Sequence, residues 1–130
     1  RCSRIGFRQN RVCAASAYFI GPCTAKVDPH LCLKSQIFFS PISIEEIAIK
    51  HALKPDVMPC DPFEVLSDAL ASGLKEFPFD AQAAVAVGAL PWIHRDPFDR
   101  MLIAQAQTAE MKLLSHDANV LRYGDVAVGF

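Results

Sequence analysis

The stretch HRDPFDRMLIAQAQTAEMKLLSHD, residues 94–117, joins a helix to a strand and places Asp96, Asp99 and Asp117 around them. Asp96 before Pro97 is a helix opening. The aspartate side chain can accept the free amides of the first turn, and proline suits the first helical position because an N–H there would lack a partner. Asp99 stands at the third helical position, where negative charge meets the positive end of the helix dipole. Met101, Leu102 and Ile103 follow at once, so the helix over 96–111 enters a core with its acidic end at the rim. KLLS (112–115) reads as a strand, and Asp117 follows it after His116. One acid suffices to cap a helix; a second, with Arg95 and Arg100 around the pair, exceeds that need.

The same grammar extends outward. QIFFS (36–40) is a short strand-type run. In SPISIEEIAIKHALKP (40–55), Ser43 and Glu46 form a capping box, Ile44, Ile47 and His51 share one face, and Pro55 ends the helix. DPFEVLSDALASG (61–73) opens on Asp-Pro and stops at Gly73, LKEF is a strand, and FDAQAAVAVGAL (79–90) is a helix capped by Asp80. PWIHR is a loop, HDANVLRYG a helical turn closed by Gly124, and VAVGF a last strand. Short apolar strands alternating with helices predict an α/β domain with a mostly parallel sheet, whose ligands bind beyond the carboxyl ends of the strands.

At 130 residues, 52% apolar and 21% charged, the chain is long enough for one well-packed domain. Its net charge of −1 gives no sign of a nucleic-acid partner. No apolar run approaches the roughly 18 residues of a membrane span, and no signal peptide is expected. Charge is uneven: residues 1–36 hold six of the thirteen Lys+Arg and one of the fourteen Asp+Glu, together with Cys2, Cys13, Cys23 and Cys32. The cysteine spacings match no zinc pattern. Residues 1–36 are thus set apart as an atypical segment preceding a domain over 37–130. Nucleotide-binding glycine loops and the G-x-S-x-G elbow are absent, which removes support for nucleotide cofactors and serine hydrolysis.

Each acid alone has a plain explanation: Glu46 completes a capping box, Asp96 and Asp117 cap helices, and Asp99 answers the dipole. Three helix starts carrying acids on one rim nevertheless suggest an all-oxygen site for Mg2+ or Mn2+. His94 and His116 read as surface or packing histidines.

FFSPISIEEIAIKHAL, FPFDAQAAVAVGALPWIHRDPFDRMLIAQA and KLLSHDANVLRYG resemble, in order and spacing, the PIN-domain toxins of the VapC type. The resemblance implies a three-layer α/β/α PIN-like fold and a cytoplasmic, Mg2+- or Mn2+-dependent endoribonuclease, commonly a homodimer and silenced by a VapB-type antitoxin. It implies Glu46, Asp99 and Asp117 as catalytic metal ligands, Asp96 as an auxiliary acid, and Arg95 and Arg100 as contacts to RNA phosphate. One feature departs from the pattern. Family members end a first strand with an aspartate about 38 residues before the helix glutamate, where this chain has GFRQN around Arg8. Asp28, the only acid in residues 1–36, lies too close to Glu46 for the usual intervening helices. The alternative expectation is therefore an impaired PIN-like module that binds antitoxin or a second copy without chemistry; a third is an aberrant first block and a partly unfolded chain, its central strand position empty or filled by SAYFI.

Overall fold

A computed structural model describes residues 18–20, as backbone pairing, and 36–129. The expectations on Asp28 and on the four N-terminal cysteines lie outside the described residues. The elements are β1 (Tyr18–Ile20), β2 (Ile37–Phe39), α1 (Pro41–Leu53), α2 (Pro62–Ala71), β3 (Lys75–Glu76), α3 (Ala81–Ala89), α4 (Pro97–Thr108), β4 (Lys112–Leu114), α5 (Ala118–Leu121), a 3-10 turn (Gly124–Val126) and β5 (Ala127–Val128).

Five strands form one sheet in the order β3-β2-β1-β4-β5. β2 pairs parallel to β3 and β4 parallel to β5, while β1 is antiparallel to both of its neighbours. Four strands therefore run one way, and the expected α/β fold with a mostly parallel sheet flanked by helices is present. The exception is central. The three residues YFI of the SAYFI segment fill the middle position in reverse, with Phe19 opposite both Phe38 and Leu113.

Alternation along β2 divides the core. Phe38 packs on the larger cluster, built from Ile42, Leu90, Leu102, Ile103 and Leu113 among others. Ile37 and Phe39 face the other way, toward Ala69, Leu74 and Leu66 of the α2 region. Helices on both faces cover much of β2, β4 and β5, whereas Lys75 and Glu76 of β3 stay exposed; strands this short could not persist alone.

Capping is uniform. Asp61, Asp80, Asp96 and Asp117 accept first-turn amides as expected. α1 differs: its cap is Ser40, whose Oγ accepts from the Ile42 amide at 3.1 Å, with Pro41 in the first turn. Ser43 lies inside the helix and is buried, so the expected Ser43–Glu46 capping box does not form. The helix starts three residues early because Ser-Pro is itself an opening, the same one that Asp-Pro makes in α2 and α4. Glu46 is thereby released from capping. α4 ends at Thr108 rather than 111, through Glu110 at φ 55°, and the turn returns the chain along β4. Because α4 and β4 run in opposite directions, the N-terminus of the helix lies over the carboxyl end of the strand.

Candidate metal centre

At that rim the chain brings together His94, Asp99 and Asp117. One ligand atom from each lies within 4.8 Å of the others. His94 and Asp99 are half-buried, and Asp117 is exposed. Asp99 comes from the first turn of α4. Asp117 follows β4, its amide held by Ser115 Oγ at 3.0 Å, and its Oδ1 caps α5 by accepting from the Asn119 amide at 2.7 Å. His94 comes from the loop before α4.

The loop is fixed from below. Arg100 is only 3% exposed, and its guanidinium donates to the carbonyls of Val87 (3.0 Å), Leu90 (3.2 Å), Pro91 (2.9 Å) and His94 (3.3 Å). Trp92 covers the guanidinium, the ring centroid 4.0 Å from the central carbon. The Tyr123 hydroxyl accepts from the His94 amide at 3.1 Å and donates to the Pro91 carbonyl at 2.9 Å. Arg100 is therefore not presented to an outside phosphate, which corrects its expected role: both terminal nitrogens are spent on four carbonyls and the Tyr123 hydroxyl beneath an aromatic face, which makes it the loop's anchor. Arg95 is exposed, as an RNA-contacting arginine has to be.

Electrostatics reflect crowding of acids. Burial raises the pKa of Asp99 above the ordinary 3.8; Asp96 raises it further, His94 opposes this, and Glu46 adds to the rise. Asp96 spends Oδ1 on its cap, accepting from Phe98 N at 2.9 Å. Glu46 is 7% exposed and forms an ion pair with Lys50 one turn later on α1. That ammonium is held above its usual range, chiefly by the hydrogen bond to Glu46 and against the pull of burial, with Asp96 and Asp99 contributing. Asp96 and Glu46 thus act on Asp99 through their fields, whereas Asp99 and Asp117 share a ligand position with His94. His94, expected to be a packing or surface residue, is the member that sequence reasoning passed over.

The donor set fits a divalent cation. His94 Nε2 is buried and stands 2.7 Å from Asp99 Oδ2, an ion pair whenever the imidazole is protonated. An imidazole and two carboxylates with ligand atoms within 4.8 Å of one another are donors that a divalent cation accepts. Among the described residues no helix is long and apolar enough to cross a membrane.

No curated protein and no solved structure matches the chain. A family model described as PIN domain matches residues 26–126, a range that includes Asp28. With that match spanning most of the chain and a His/Asp cluster at the carboxyl rim of an α/β sheet, the chain belongs to the PIN-domain family.

Proposed function

We propose that this chain is a metal-dependent endoribonuclease of a toxin–antitoxin pair, acting on the phosphodiester backbone of RNA. The observation that carries this reading is the convergence of Asp99 and Asp117 with His94 at the rim of a PIN-family sheet. Asp99 and Asp117 would hold Mg2+ or Mn2+, with Asp96 beside them and Glu46 joining once Lys50 moves aside. Such an ion lowers the pKa of a bound water and offsets charge on the phosphate. Exposed Arg95 would meet a neighbouring phosphate and set the backbone's register without reading sequence. A VapB-type antitoxin and a second copy of the chain are the proposed partners.

A second reading has its own support. β1 runs against its neighbours, so its own carboxyl end lies at the rim opposite the site. Glu46, meanwhile, is neutralised by Lys50. Both features favour a PIN-fold module that binds antitoxin or a second copy and cuts nothing. One experiment separates the two. The purified chain is incubated with a mixed RNA pool in Mn2+, in Mg2+ and in EDTA, beside Asp99→Asn. Cleavage that needs metal and Asp99 supports the nuclease; an intact pool under every condition supports the binding module.

A further inference from the structure

Trp92 is 77% exposed and stands in the loop that supplies His94. One face of its indole lies over the Arg100 guanidinium, the ring centroid 4.0 Å from the central carbon. Arg100 is buried and spends both terminal nitrogens on main-chain carbonyls and the Tyr123 hydroxyl, so the cation under the ring is fixed. The main chain is tied on either side of Trp92 as well: the Pro91 carbonyl accepts from Arg100 and Tyr123, and the His94 amide donates to Tyr123 Oη. The indole is therefore held in place while most of its surface meets solvent, and a ligand stacking on it pays little to order it. Phe63 is similarly exposed at the start of α2, but among the described residues no arginine lies across its ring.

The neighbours of Trp92 say what such a ligand is. His94, a member of the rim cluster, follows two residues later, and exposed Arg95 comes next. Two residues of chain span at most about 7 Å, so the indole stands close to the rim. The loop thus presents an aromatic face and a cation beside the candidate centre. Single-stranded nucleic acid is held by that pairing, the cation on phosphate and the aromatic under a base. A duplex offers no free base face, because each base is already stacked between its neighbours. We propose that the outward face of Trp92 is a stacking platform for an unpaired RNA base, which makes single-stranded RNA the substrate class of this site. This rests on the nuclease reading and adds to it a substrate contact and a strand preference. A protein partner is the rival occupant of an exposed indole; the place of Trp92 between a pinned arginine and the rim favours the nucleotide.

Trp92 is the chain's only tryptophan, so its fluorescence reports the contact without a label. The full chain is titrated with poly(U), whose bases are unpaired, and with the poly(A)·poly(U) duplex, both in EDTA to stop metal-dependent cleavage. Calorimetry on the same samples gives the affinities. The parent is compared with Trp92→Phe, which keeps an aromatic face, with Trp92→Leu, which keeps only an apolar cover over Arg100, and with Phe63→Ala. The expected result is quenching of the parent by poly(U) and far less by the duplex. Affinity for poly(U) should fall about 5- to 150-fold in Trp92→Leu, the loss of one stacked base. It should stay close to the parent's in Trp92→Phe and equal it in Phe63→Ala. Binding of poly(U) with unchanged fluorescence, or with equal affinity in Trp92→Leu, would overturn the platform, leave the indole to a protein partner, and let the nuclease reading stand. Equal quenching by the duplex would overturn the single-strand assignment. Failure of the parent to bind poly(U) would overturn the inference as well, and the nuclease reading falls with it only if RNA also stays intact in Mn2+.

Discussion

α2 opens with Asp61-Pro62-Phe63-Glu64 and α4 with Asp96-Pro97-Phe98-Asp99, and their caps are nearly the same object. The cap residues have φ/ψ of −66°/124° and −63°/120°. Asp61 Oδ1 accepts from Phe63 N and Glu64 N at 2.8 and 3.3 Å, and Asp96 Oδ1 accepts from Phe98 N and Asp99 N at 2.9 and 3.4 Å. Their C-termini match as well, each closing through a left-handed residue, Gly73 at φ 83° and Glu110 at φ 55°. Beyond the backbone they diverge. Phe63 is 76% exposed, while Phe98 packs on the main core. Glu64 is exposed, whereas Asp99 is half-buried, shares a ligand position with His94 and Asp117, and has its pKa raised. Four residues of sequence write a helix start; only the neighbours brought by the fold turn one of those starts into a site.

The widest gap between the two helices should be catalytic. If the chain is a nuclease, Asp99→Asn lowers metal-dependent RNA hydrolysis roughly 10²–10³-fold, comparable to losing a principal stabilising group of a transition state. Glu64→Gln, at the equivalent position, should leave the rate unchanged in the same assay. Next in size is the anchor beneath α4's loop. Arg100→Ala strands several carbonyls in the core and should cost about 3 kcal/mol in urea unfolding. Exposed Arg95, by contrast, should change stability by less than about 0.5 kcal/mol when replaced by alanine. Equal losses for the two arginines would contradict the anchor role.

The caps offer a finer contrast. Asp61→Ala should cost about 1 kcal/mol, as a cap with no other duty. Asp96→Ala should cost less by thermal unfolding of metal-free protein, since removing its charge also relieves Asp99. The smallest effect is a pH dependence. Asp99 binds its proton more tightly folded than unfolded, so its ionised form penalises the fold: the penalty is present above the raised pKa and vanishes as pH falls below the ordinary 3.8. Metal-free Asp99→Asn should therefore be more stable than parent at neutral pH and lose that advantage in acid. A parent and an Asp99→Asn variant whose stabilities keep the same difference at every pH would contradict the raised pKa of Asp99.

Most elements were legible because their signals are local. Asp-Pro openings, the Gly73 stop and the Asp80 and Asp117 caps depend on a few adjacent residues. α1 shows the limit of that approach, since Ser40 and Ser43 both offer caps, and Pro41 settles the choice through its fit to the first turn. Asp99 and Asp117 were legible as acids at element starts, whereas for Glu46 one of its two expected roles, half of a capping box with Ser43, fails because Ser40 caps the helix. Arg100 carried a usable signal that its charge obscured: it shares a helix face with Ile103 and Ala104, both buried. His94 had no such signal, because a loop residue has no periodicity and the groups that place it come from Arg100 and Tyr123. The direction of β1 was not legible either, since three apolar residues favour a strand without saying which way it runs.

The measurement that bears most directly on the metal centre is Mn2+ calorimetry on three proteins: the parent, Glu64→Gln and Asp99→Asn. If the α4 start is a metal centre and the α2 start only a cap, the parent and Glu64→Gln bind Mn2+ alike and Asp99→Asn loses the binding. Mn2+ binding that survives in Asp99→Asn, or its absence from the parent, would contradict this and leave the two helices alike in function as well as in form.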